Sequence, residues 1–283
     1  MLAEVVTTLA QESTDNPGHG VTVGHHTGQG YPAPGLESFH FRPFFTIDLG
    51  GFKIEYNWPL LLLTVAFVFV LGMFLIGLRR PTLVPRGVQN FLESVYDFVD
   101  QQISREVIGP EGAKWTPYLV VLFVWIFVLN IFEIIPGANF PVTSKFAFPC
   151  IYALFTWLIF MGLGMKRQGV VGYFRNIAIP PGVPAPLLVL LAPIELISTV
   201  IIRPFTLMVR LFANMFAGHV LLAIFFIGTL YWLVPHFGLA FAGVSFLMST
   251  ILVGFEILID SLQAYIFTLL TAIYISGSLA PEH

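Results

Sequence analysis

Residues 187–233, LLVLLAPIELISTVIIRPFTLMVRLFANMFAGHVLLAIFFIGTLYWL, and residues 239–278, LAFAGVSFLMSTILVGFEILIDSLQAYIFTLLTAIYISGS, decide the fold. Both are apolar for far longer than the roughly 20 residues that carry a helix straight across a hydrocarbon core. At about 1.5 Å of rise per residue, a helix of either length must lean to stay inside that core. Between them, VPHFG at 234–238 supplies a proline and a glycine where a chain can turn back. The pair reads as a hairpin of two long, strongly tilted helices.

Working toward the N-terminus, residues 58–78 carry no charge and are long enough to span, and Arg79, Arg80 and Arg86 follow them. Such a basic cluster marks the cytoplasmic side. Residues 115–135 form a second span that ends on Asn130 and Glu133, and residues 146–165 form a third, closed by Lys166 and Arg167 with Arg175 beyond. Between the first two spans, Val88, Phe91, Leu92, Val95, Val99 and Ile103 recur at helical spacing, with Glu93, Asp97, Asp100 and Arg105 between them. Residues 87–108 therefore read as an amphipathic helix, resting on the cytoplasmic surface or against a partner. The Gly/Pro-rich stretch 169–186 reads as a cytoplasmic loop. The expected fold is an all-α polytopic membrane protein with five crossings, N-terminus outside and C-terminus in the cytoplasm. Its parts are a polar extracytoplasmic tail (1–55), three spans with the amphipathic helix (56–186), and the tilted hairpin (187–283).

Composition agrees. Of 283 residues, 57% are hydrophobic and 10% charged, well below the roughly 25% charged of soluble domains. Lipid is the solvent such a chain requires, and a net charge of −3 gives no reason to expect a nucleic-acid partner. The single cysteine, Cys150, excludes an intrachain disulfide and a multi-cysteine metal site. Residues 1–10 are mildly apolar but carry Glu4 and no basic leader, a weak signal-peptide pattern. His19, His25 and His26 lie in a Gly-rich context that suits a solvated tail better than a metal site. No repeat at fixed period is visible, which disfavours an inverted-repeat transporter.

The hairpin segments contain only five charged residues: Glu195, Arg203, Arg210, Glu256 and Asp260, with His219 as a further titratable group. Each ionised side chain at the bilayer centre costs about 2.5–3.5 kcal/mol, so such groups mark functional sites by default. At about 100° per residue, Arg203, Arg210 and Asn214 share a face, His219 points nearly opposite to Arg210, and Glu195 lies about 60° from it. Glu256, Gln263 and Tyr274 align within about 20°, with Asp260 about 40° from Glu256. Arg210 has no acid at i±3 or i±4. A permanent cation without a local partner calls for a carboxylate from elsewhere, and on a moving partner it would favour that acid's ionised form. The bland alternative, an Arg snorkelling to the interface, fits Arg203 better than Arg210. His219 and Glu256 form either a proton relay or a hydrogen-bonded structural pair, and two ligands make a poor zinc set. Glu195 with Ser198 and Thr199 lines an aqueous path, or the hydroxyls merely back-bond to the helix.

The run Arg210-Leu211-Phe212-Ala213-Asn214-Met215-Phe216-Ala217-Gly218-His219 resembles a signature of subunit a of bacterial F-type ATP synthases, the proton-channel subunit of the F0 sector. Leu262-Gln263-Ala264-Tyr265-Ile266-Phe267, with Glu256 ahead and Tyr274 behind, is similar to that family's second signature. Pro193-Ile194-Glu195-Leu196-Ile197-Ser198, Arg203-Pro204, and Asn130 and Glu133 before Pro136 fit as well. The likeness runs from about Phe39 onward.

The resemblance implies a stator beside a ring of c subunits, each with one essential carboxylate. Asn214, His219, Glu256 and Gln263 would line the outer half-channel; Glu195, Ser198 and Tyr274 the inner; Arg210 would separate them and engage the ring carboxylate. It implies peripheral-stalk b-type subunits and membrane lipid as neighbours, the proton as transported ion, a bacterial plasma-membrane location, and no cofactor or metal. ATP would be made in a separate catalytic head, so no catalytic site is expected in this chain. One charge crossing 100 mV is worth about 2.3 kcal/mol, so several crossings must be summed for each ATP and a leak past Arg210 is costly. Three rivals remain at this level. A one-chain antiporter would need its own ion-carrying acid near Arg210; an intramembrane hydrolase would need a nucleophile–base pair or full metal set; a structural scaffold would make Arg210 dispensable.

Overall fold

A computed structural model describes residues 43–49, 52–79, 82–135, 138, 140–179, 185–233 and 238–279. The first ten residues, His19, His25, His26, Arg80, Pro136, Gly137 and the turn at 234–237 lie outside the described residues. The chain is an all-α polytopic membrane protein. Among the described residues, four helices are long and apolar enough to cross a bilayer: α1 (Trp58–Leu78), α4 (Ala147–Gln168), the helical run Leu187–Leu230, and α8 (Leu239–Leu279). A fifth apolar helix, α3 (Thr116–Ile131), has 16 residues, about 24 Å of rise against a core of about 30 Å. Phe67, Val68, Ile76, Val189, Phe241 and Leu258 are among many large apolar side chains left exposed, as lipid-facing surface must be.

The long run is not uniform. It comprises α6 (Ala185–Ile197), one wide π-helical turn (Ser198–Ile202) and α7 (Arg203–Leu233). The wide turn closes with Arg203 N–H donating to the Ser198 carbonyl, five residues back. Pro204 follows directly and has no N–H to offer Val200, a local reason for the register change. At 41 residues, about 60 Å of rise, α8 cannot stand upright in a bilayer.

The described chain forms two compact units, cut within α1, α3, α7 and α8. Unit 1 holds residues 43–69, 128–145 and 214–261. It opens with an antiparallel hairpin, β1 (Phe45–Leu49) and β2 (Phe52–Tyr56), paired Phe45 to Tyr56 through Leu49 to Phe52. The expectation for 1–55 was a polar tail; apolar–polar alternation in FTIDL and FKIEY is what makes two short strands. Trp58 Nε1 donates to the Ala138 carbonyl (3.1 Å), tying the start of α1 to the segment after α3.

Unit 2 holds residues 70–127, 146–213 and 262–279. The amphipathic segment begins as α2 (Val88–Val99) and continues as a π-helical stretch (Asp100–Ile108). Leu92, Val99 and Ile103 are buried as the period predicted, whereas Val88 and Phe91 remain exposed. A buried polar joint holds it to α3. Thr116 Oγ1 stands 2.7 Å from Asp100 Oδ1 and 2.9 Å from Ser104 Oγ, and Ser104 Oγ donates to the Gly112 carbonyl at 2.7 Å. Gly112 is required there, because a Cβ would run into the Ser104 backbone carbonyl. Residues 169–186, expected to be a loop, contain α5 (Val170–Ala178). Its Tyr173 is buried against Gly164 of α4, where a Cβ would occupy the ring.

Candidate functional site

Unit 1 gathers four ionisable side chains from three separate stretches of sequence. α3 stops at Ile131, and Glu133 N–H donates to the Asn130 carbonyl (3.0 Å) in the turn that follows. Thr143 Oγ1 donates to Asn130 Oδ1 at 2.7 Å, with both residues fully buried, so the turn carrying Glu133 is pinned from the far side of the loop. Glu256 and Asp260 stand one turn apart on α8, and His219 on α7. Glu133, Glu256 and Asp260 each bring one oxygen to within 4.8 Å of the others. His219 Nδ1 lies 3.5 Å from Glu133 Oε1, and the Phe140 ring packs edge-on against the imidazole, centroids 5.5 Å apart.

The acids are dry. Glu133, Glu256 and Asp260 are 5%, 2% and 0% exposed. Among the described residues, both oxygens of Glu133, both of Asp260 and Oε1 of Glu256 have no hydrogen-bond partner. Three buried carboxylates this close cannot all be ionised without a compensating positive charge. Protons or a cation must supply it. Gly218 makes the arrangement sterically possible, since a Cβ there would fall inside the Glu256 carboxylate.

Unit 2 holds the remaining predicted positions except Asn214. Arg210 is exposed, and among the described residues no acid lies within ion-pairing distance of it. The Arg203 guanidinium sits 5.4 Å from the centroid of the Tyr274 ring, a cation–π contact, and Phe160 packs against the same ring at 5.4 Å. Arg203 thus has an aromatic partner in its own unit. Gln263 and Tyr274 are buried, Glu195 and Ser198 half-buried, and Thr199 buried. Asn214, at the edge of unit 1, is half-buried.

Of the sequence-predicted residues, the structure brings His219 and Glu256 into one cluster. Asp260 and Glu133 join them, although neither stood among the site residues expected. Asp260 stands out in the sequence as a rare charge about 40° from Glu256, and its i+4 spacing from Glu256 is the available signal. Glu133 was visible only as a polar end of a span.

A family model described as ATP synthase A chain matches residues 60–276. The ATP synthase subunit a of Frankia alni is 46% identical over 253 residues, covering 89% of this chain and 87% of that protein. The subunit a of Streptomyces lividans is 42% identical over 257 residues, 90% of each chain. That of Magnetococcus marinus is 36% identical over 252 residues, 86% of this chain and 92% of the relative. The motifs at 210–219 and 262–267 lie inside the matched region, and on this breadth of similarity the chain belongs to the ATP synthase subunit a family.

Proposed function

We propose that this chain is the stator subunit that carries protons past the c-ring of an F-type ATP synthase, through two offset half-channels. Asn214, His219, Glu256 and Gln263 serve the outer half-channel, and Glu195, Ser198 and Tyr274 the inner. Arg210 separates them. A proton entering from outside neutralises a ring carboxylate, rides with the ring, and is released inside; the rotation drives ATP synthesis in a separate catalytic head. The chain stands in a bacterial plasma membrane with its N-terminus outside and its C-terminus in the cytoplasm, against the c-ring and peripheral-stalk b-type subunits.

The observation that carries this reading is Arg210: a permanent cation on the outer surface of an apolar helix, with no acid of its own chain in reach among the described residues. Lipid is the wrong environment for such a group, at a cost of about 2.5–3.5 kcal/mol, so a partner's acid must cover that face. Opposite charge nearby favours the ionised carboxylate and expels its proton. A fixed positive charge also repels a proton that would pass without turning the ring. The second support is the buried cluster of His219 with Glu256, two groups that can take up and release protons.

The test is Arg210→Ala in the assembled complex, in inverted membrane vesicles. ATP-driven acidification of the vesicle interior is expected to vanish while subunits still assemble. Normal acidification in that variant would overturn the reading and favour a scaffold.

A further inference from the structure

Glu133, Glu256 and Asp260 form one buried group in unit 1, and the half-channel set assigned above uses only Glu256 of the three. Asp260 is the least explained. It is fully buried in an apolar helix, and neither of its oxygens has a hydrogen-bond partner among the described residues. Its neighbours one turn away are Glu256 toward the N-terminus and Ala264 toward the C-terminus, so no cation on its own helix compensates it. A carboxylate in such a place is costly unless something binds to it. The oxygens of Glu133, in a turn held by Asn130 and Thr143, lie in the same cluster, with Oε1 3.5 Å from His219 Nδ1. The titratable groups facing Asp260 across this site are Glu133, Glu256 and, beside Glu133, His219.

We propose that Asp260 is a proton-carrying residue of the outer half-channel, exchanging a shared proton with Glu133 and Glu256. The inference rests on the half-channel reading above. In each hop a protonated carboxyl of one acid donates to an ionised oxygen of the next, through one bridging water where the gap exceeds hydrogen-bond reach; every O–H bond broken is matched by one formed, and the cluster's net charge is unchanged. A proton entering from outside replaces the one passed on. The three-acid arrangement gives the path a place to hold a proton between arrival and delivery, where His219 and Glu256 alone offer a single exchange.

The experiment uses the whole ATP synthase in inverted vesicles, with passive proton conduction measured after the catalytic head is stripped and ATP-driven acidification measured before. Asp260→Asn keeps shape and removes the proton-carrying oxygen. It is expected to lower conduction at least about tenfold, a modest fraction of what positioned proton transfer contributes, and to change the pH profile of conduction. Asp260→Glu is expected to restore most of the rate. Wild-type conduction and an unchanged pH profile in Asp260→Asn overturn the proposal. If the Asn variant fails to assemble, the pH profile of Asp260→Glu decides: a displaced profile supports the role, and an identical one overturns it. Glu256→Gln run in parallel separates the two readings. Blocked Glu256→Gln with normal Asp260→Asn sinks this inference alone, whereas normal conduction in Glu256→Gln sinks the half-channel assignment itself.

Discussion

Replacing Gly218 by alanine adds one methyl group to the chain and tests the site's geometry directly. A Cβ built on Gly218 would lie 2.6 Å from the Glu256 carboxylate carbon and 2.8 Å from Oε2. Oε1 would lie closer still, and ordinary contact between such atoms needs about 3.5 Å or more, so the carboxylate must retreat by at least about 1 Å. Glu256 has limited room, because Glu133 and Asp260 share its pocket. A displacement of about 1 Å in a reacting group can cost on the order of a hundredfold in rate. The overpacking itself costs about 1–3 kcal/mol, shared with an assembled complex that can absorb it. The expected outcome of Gly218→Ala is therefore ATP-driven proton pumping lowered roughly ten- to a hundredfold, with subunit content and ATP hydrolysis by the head retained. Pumping is read as dye quenching in inverted vesicles, and assembly by recovery of the intact complex. Wild-type pumping would show either that Glu256 does not carry protons or that its carboxylate does not stand against Gly218. Combining Gly218→Ala with Glu256→Asp, which shortens the side chain by one methylene, should recover part of the loss if the clash is the cause.

Arg210→Lys should lose most of the coupling despite keeping a positive charge, because lysine lacks the planar two-pronged donor and can shed its proton when dehydrated; ATP-driven acidification at or near the wild-type rate would contradict the proposed role. Thr143→Val removes the donor to buried Asn130 Oδ1 and loosens the turn bearing Glu133. It should destabilise the complex by about 1–3 kcal/mol and reduce pumping beyond what assembly explains, checked by thermal denaturation alongside proton flux. Thr116→Val strips Asp100 and Ser104 of their shared hydroxyl in unit 2 and should cost a similar amount in stability, without changing pumping per assembled complex.

Membrane class, helix positions and the rare charges were legible in the sequence for a local reason. Hydrophobic length and the 3.6-residue period are properties of neighbouring residues, and a charge in an apolar run stands out by its cost alone. Arg210 could be singled out in the same way, since the absence of an acid one turn away is visible in the chain itself. Two elements escaped because their signals were weak or conflicting: the strands at 45–56 sat at the end of a Gly/Pro-rich tail, and α5 lay in a stretch whose glycines and prolines read as loop.

What only the tertiary structure decided is which acids meet. Glu133 precedes Glu256 by more than a hundred positions, and nothing in either segment's periodicity specifies the other as a neighbour. Counted along one helix, Asp260 stands about 40° from Glu256, and that angle says nothing of what lies across from it. In the folded chain its position is judged by what stands across from it: the turn after α3 holds Glu133, and Gly218 leaves room for Glu256. Local chemistry sets how costly a buried charge is, but the packing of distant elements determines which partner or proton offsets that cost.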